Sequence, residues 1–270
     1  MVYLQRWLAQ LGRATQRVLG EWLNLLNLGA SILVLTLSPA SYTSANRAIL
    51  VRHMYVNTAP ILLGFTVVCA LATMVLTRIV VVTAHSYGLS QFALQLVIRV
   101  LVLELIPLTA ALFVALRCTI PDGVELLALH ANGQFGNSLV ASSNAMRREV
   151  PPRVVAGLFA GATLAALSSV VALVVAYLAS YGFTLLGIAN FTRLFGQVFN
   201  PAVTLIFVLK ILLFCLTVSL IPMTSALVGM RDNKGIRAST VRTSAEMRGL
   251  VRMFTVILLI EMVSLVGNYY

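Results

Sequence analysis

The sequence predicts an all-α integral membrane protein: an interfacial amphipathic N-terminal helix, then five transmembrane helices, with a short cytoplasmic helical segment between the second and third. Three observations predict it. Hydrophobic residues make up 60% of the 270 positions and charged residues only 10%, where soluble domains are roughly a quarter charged. Mean hydropathy is +0.96. Several stretches approach the ~20 apolar residues that a bilayer crossing needs, and most of the 19 Lys+Arg, against 8 Asp+Glu, collect in alternate segments between them. In a soluble protein a net charge of +11 would point to nucleic acid. In this composition it follows the positive-inside rule and suits anionic headgroups, so membrane lipids are expected as partners and nucleic acid is not.

Residues 1–28 do not read as a signal peptide, because Arg6, Arg13, Arg17 and Glu21 interrupt any apolar core. Leu4, Trp7, Leu8, Leu11, Val18, Trp22 and Leu25 recur at three- and four-residue steps, with Gln5, Arg6, Gln10, Arg13 and Arg17 on the remaining surface. A helix of that kind lies in the membrane interface. Residues 1–50 are therefore expected to form an interfacial region and 51–270 the transmembrane domain. Residues 30–37 are apolar but too short to span, and end at Ser38-Pro39.

The first span is expected from about Tyr55 to Thr83, with Pro60 and Gly64 inviting a kink or a re-entrant turn. The second runs from Gln91 to about Leu116, the third from Val154 to Tyr181 and the fourth from Pro201 to Val228. The fifth, Met253 to Val266, is short and carries Glu261. Arg47 and Arg52 precede span one, Arg117, Arg147, Arg148 and Arg153 lie between spans two and three, and Arg231, Lys234, Arg237, Arg242, Arg248 and Arg252 between four and five. The other connections hold only Arg193. This alternation predicts a cytoplasmic N-terminus and a C-terminus on the far side.

Residues 117–153 are too polar to cross and too long for a turn. Pro121-Asp122 can open a helix and Pro151-Pro152 can stop structure before span three, so one or two short cytoplasmic helices are expected. Val124, Leu127, Phe135 and Leu139 are the apolar candidates for docking a cytoplasmic partner, with Glu125, His130 and Gln134 at the rim. A solvated loop is the plainer alternative. Within the spans, Gly157-x-x-x-Gly161 predicts close helix packing, with the frequency of glycine in membrane helices as the plainer alternative. Glu104, Lys210 and Glu261 fall inside spans, where a charge costs ~2.5–3.5 kcal/mol on insertion scales, so they are expected to face one another. One lysine answers two carboxylates only in part. Arg99 is a second positive candidate, or one carboxyl is neutral.

No phosphate-binding GxxxxGK[ST] loop, HExxH or nucleophile elbow occurs, and His53, His85 and His130 are scattered. Cys69, Cys118 and Cys215 are isolated, which suits small apolar side chains better than a metal or disulfide set. Asn190-Phe191-Thr192 fits a glycosylation triplet that arises easily by chance.

From about Leu50 to its end the chain resembles the MlaE/YrbE permeases of MCE-type ABC lipid transporters. Leu103-Glu104-Leu105-Ile106-Pro107 resembles the family's Arg-Glu-Leu-Gly-Pro signature, with Leu103 and Ile106 as departures; Ala110-Ala111-Leu112 and Arg117 follow in order. Glu125, Pro152-Arg153, Ala156-Gly157, Leu209-Lys210, Gly235-Ile236-Arg237-Ala238-Ser239-Thr240 and Glu261 continue the likeness. Only Gln134 remains of the family's Thr-Glu-Gln helix in the cytoplasmic segment. The resemblance implies a non-catalytic permease of the bacterial inner membrane that pairs with a second copy or a paralogue. It implies that the segment between spans two and three is a coupling helix for a cytoplasmic ABC ATPase dimer. It also implies that an MCE-domain ring sits on the periplasmic side and that lipid passes through an apolar cavity at the permease dimer. No cofactor or metal is expected in this chain, since ATP and Mg would be bound by the ATPase. Two other readings stay open: a stand-alone secondary transporter or channel using the intramembrane charges, and a membrane enzyme acting on lipid, for which no catalytic cluster is found.

Overall fold

A computed structural model describes residues 20, 22–38, 44–131, 139–232 and 238–269. The described residues are helical almost throughout. In chain order the elements are α1 (Trp22–Leu37), α2 (Ser44–Ser86), α3 (Ser90–Val97), α4 (Ile106–Val114), α5 (Ile120–Ala131), α6 (Leu139–Tyr181), α7 (Ile188–Val198), α8 (Pro201–Asp232) and α9 (Ala238–Tyr269). Five helical runs are long and apolar enough to cross a membrane: Arg47–Ser86, Phe92–Leu129, Arg148–Tyr181, Pro201–Val228 and Met247–Asn268. The protein is a multi-pass, all-α membrane protein. Most of the expected interfacial helix of residues 1–28, including Trp7, Leu11 and Val18, lies outside the described residues; its last residues, from Trp22, belong to α1, an apolar helix too short to span.

Three expectations need correction. The first span is neither re-entrant nor broken: α2 continues through Pro60 for 43 residues. The second span does not end near Leu116. α3, α4 and α5 follow one another without a break, joined by π-helical segments at Ile98–Leu105 and Ala115–Thr119. Each π segment ends two residues before a proline, Pro107 and Pro121. Proline has no N–H and crowds the carbonyl four residues back, and a widened turn relieves that crowding. Third, Pro151-Pro152 does not stop structure, because α6 runs through both prolines. Val150 and Val154 on either side are buried against Leu126 and Met223, so packing outweighs the missing N–H groups. In that weakened turn the carbonyl of Glu149 accepts from Arg153 Nη1 at 3.1 Å.

Local chemistry sets the other ends. Asn200 Oδ1 accepts from the Val203 N–H at 2.8 Å, and Pro201 follows it, so an Asn cap and a proline in the first turn open α8 at the expected residue. Gly182, at φ +69°, turns the chain out of α6, and its N–H closes on Leu178 O at 2.9 Å.

α2 packs along α6, α8 packs on both α6 and α9, and α5 lies against α8. The central core joins Ile61 and Phe65 of α2, Val114 of α4, Leu164 of α6, Phe214 and Val218 of α8, and Ile257 of α9. Towards α5 a second core gathers Leu126, Val150, Val154 and Met223, with Ile32 of α1 seated on it. Towards α7, Ile98, Leu103 and Val198 form a third. Several buried threonine hydroxyls bond within their own helix, as Thr73 does by donating to Cys69 O at 2.7 Å.

Candidate functional site

The bundle interior holds one cluster of opposite charges across three helices. Lys210 is 2% exposed and nine residues into α8. Its Nζ is ion-paired with Glu104 of the first π segment and lies 2.8 Å from Glu261 Oε2 of α9. It also donates to Leu103 O at 3.2 Å. That carbonyl is available because residue 107, its partner in an α-helical register, is proline and has no N–H. The proline that widens the helix therefore also exposes an acceptor for the lysine. The Phe214 ring centroid lies 5.6 Å from Nζ, close enough for a cation–π contact.

The sequence brings Glu104, Lys210 and Glu261 together as the cost of lone intramembrane charge requires. Arg99 lines a small pocket with Leu103, Glu104, Val198, Val203 and Asn268, so it stands beside the same cluster. Sequence reasoning missed Asn268, whose Nδ2 donates to Glu104 Oε1 at 3.0 Å. The available signal was spacing: Asn268 is seven residues after Glu261, two helical turns along the same face. It was hidden because the expected fifth span stopped at Val266, whereas the apolar run extends over Met247–Asn268.

On the opposite side of α8 from Lys210, Leu205, Val208, Leu209 and Leu212 are exposed. With Phe199, Pro201 and Thr204 they line an open concavity of about 740 Å³. Charge is sealed behind the helix and the open face is apolar.

Gly157 and Gly161 of α6 face α8 within the chain. A Cβ at Gly157 would stand 2.7 Å from Ser219 Oγ and 2.8 Å from Thr119 Cγ2, and one at Gly161 would stand 2.7 Å from Cys215 Sγ. A side chain there would force Ser219, Thr119 or Cys215 to shift.

Of the expected docking residues, Val124 and Leu127 line a small apolar pocket of about 40 Å³ with Gly123, Pro222, Gly249 and Met253. Glu125 is largely exposed, with Oε1 3.5 Å from Arg153 Nη2. His130 falls in α5 and Leu139 opens α6. Gln134 and Phe135 lie outside the described residues. The sequence singled out Asp122 only as a helix opener and Asn57 not at all, yet Asn57 Nδ2 donates to Asp122 Oδ2 at 3.0 Å in the interior. Among the described residues no three His, Cys, Asp or Glu side chains are grouped to hold a metal ion.

The family model "Permease MlaE" matches residues 50–266. No curated protein sequence matches the chain. The match covers most of the chain, so the protein belongs to the MlaE permease family and is a non-catalytic permease component of ABC-type lipid transport.

Proposed function

We propose that this permease moves phospholipid or another hydrophobic lipid between the bacterial inner membrane and an MCE-domain protein, driven by a separate ATPase subunit. It pairs with a second copy or a paralogue. A cytoplasmic ABC ATPase dimer binds the region of α5 and the start of α6, and the MCE ring stands on the periplasmic face with the C-terminus. The distribution of Lys and Arg supports that orientation.

The observation that carries the reading is the two-sidedness of α8. An ion or proton pathway needs polar groups along an accessible route. Here Lys210 is enclosed by its partners, while the accessible concavity on the other side of the same helix is lined by Leu205, Val208, Leu209 and Leu212. Acyl chains suit that surface and ions do not. It serves as the lipid-facing or partner-facing wall of the paired permease. Purifying the chain with its genomic neighbours tests the reading: an ATPase and bound lipid are expected in the complex. A chain that purifies without an ATPase and conducts ions alone would favour the stand-alone channel or secondary transporter.

Charge reversal at Glu125 tests the docking region. Exposed ion pairs contribute only ~0–1 kcal/mol, so Glu125→Lys is expected to leave the chain inserted while lowering permease-stimulated ATP hydrolysis about threefold or more, read by phosphate release. Crosslinks from residues 122–146 to the periplasmic partner, with none to an ATPase, would reverse both the docking site and the orientation.

A further inference from the structure

We propose that Asn57 of α2 is a positioning residue that ties the first span to α5 and carries ATPase-driven movement of α5 into the bundle. The proposal rests on the reading of α5 as the ATPase contact. Asn57 and Asp122 are both buried, and Asn57 Nδ2 donates to Asp122 Oδ2 at 3.0 Å. One turn earlier on the same continuous helical run, Cys118 Sγ lies 3.4 Å from the main-chain carbonyl of Asn57 and donates to it. Asn57 is thus held at its side chain and at its backbone by two successive turns. Arg153 of α6 adds a second tie. It is 2% exposed, with Nη1 2.7 Å from Glu149 Oε2 and Nη2 3.5 Å from Glu125 Oε1.

Positions 118, 122 and 125 are spaced four and three apart, so one stripe of the helix carries every one of these ties. The side towards α8 and α9 is different. There Val124 and Leu127 meet the apolar pocket, and Gly123 lies so close to α8 that a Cβ would stand 3.2 Å from Pro222 O. Apolar contacts are non-directional, whereas a buried hydrogen bond has one good geometry and a high cost when broken. Movement of α5 therefore draws α2 with it through the Asn57 ties, while α8 follows by close packing. α2 and α6 are packed along one another, so they move as a pair.

The test uses the complete complex of permease, ATPase and MCE partner in vesicles of phosphatidylethanolamine and phosphatidylglycerol. Fluorescent phospholipid moved and ATP hydrolysed are measured together. Asn57→Leu is expected to leave ATP hydrolysis within twofold and to lower lipid moved per ATP at least fivefold. Asn57→Ser, a milder change, is expected to lower the same ratio. The double exchange Asn57→Asp with Asp122→Asn keeps one amide facing one carboxylate and is expected to restore it. A merely structural role would lower hydrolysis, transport and assembly together and leave the ratio unmoved, which would overturn the proposal. An unchanged ratio in both single variants would overturn it as well. A wild-type complex without ATP hydrolysis would instead remove the reading of α5 on which the proposal rests.

Discussion

Lys210→Ala is expected to reduce lipid transport, assembled protein or both at least tenfold. Its Nζ serves Glu104 and Glu261 at once and also fills the carbonyl of Leu103, which Pro107 leaves without an α-helical donor. Removing it leaves two carboxylates beside one another in a buried site, with Asn268 bonded to one of them. Breaking a buried pair by removing one member costs about 3–5 kcal/mol, and each 1.4 kcal/mol is about a factor of ten. Neutralising a carboxylate in the same chain removes part of that penalty. Lys210→Ala with Glu261→Gln is therefore expected to be milder than Lys210→Ala alone. Transport and size-exclusion profiles measured side by side separate two roles. Loss of transport with assembly intact assigns the cluster to lipid movement. Joint loss assigns it to helix register. No effect from neutralising Glu104, Lys210 or Glu261 singly would dispose of the network.

Gly157→Leu and Gly161→Leu are expected to lower the thermal unfolding midpoint in detergent and the yield of assembled protein, with the Ala variants intermediate. A Cβ at either position meets α8 at 2.7 Å. Overpacking of this kind costs about 1–3 kcal/mol even where neighbours can shift. The sequence motif alone did not name the close partner. The geometry at Ser219 and Cys215 makes it α8, so the fault begins inside the protomer and assembly falls as a consequence. Unchanged midpoints in both Leu variants would mean that α6 and α8 are not packed as closely as these contacts require.

What could be read from the sequence follows how local each determinant is. The fourth span was legible because its apolar run is long, and the Asn200 cap with Pro201, which acts within one turn, starts the helix where that run begins. The charged trio was legible because the bilayer's dielectric penalty holds wherever the helices lie. The helical continuity of α5 with span two was not, because Pro121 and Asp122 look like a start signal locally. It takes a π-helical turn before the proline and burial of Leu126 between α6 and α8 to carry the helix on. Pro151-Pro152 misled for the same reason: a proline's local effect is visible in sequence, and the packing of Val150 and Val154 that overrides it is not. Asn57 and Asp122 are 65 positions apart, and no periodicity links them.

Movement of lipid by the reconstituted complex tests the central claim most directly. The permease is placed in phospholipid vesicles with its ATPase and MCE partner, and transfer of labelled phospholipid to or from the MCE protein is followed with ATP, without ATP, and with a hydrolysis-deficient ATPase. Transfer is expected only where ATP is hydrolysed, and the permease is expected to be required for it. Transfer or ion flux of equal rate from the permease alone, without ATP or an ATPase, would contradict the account.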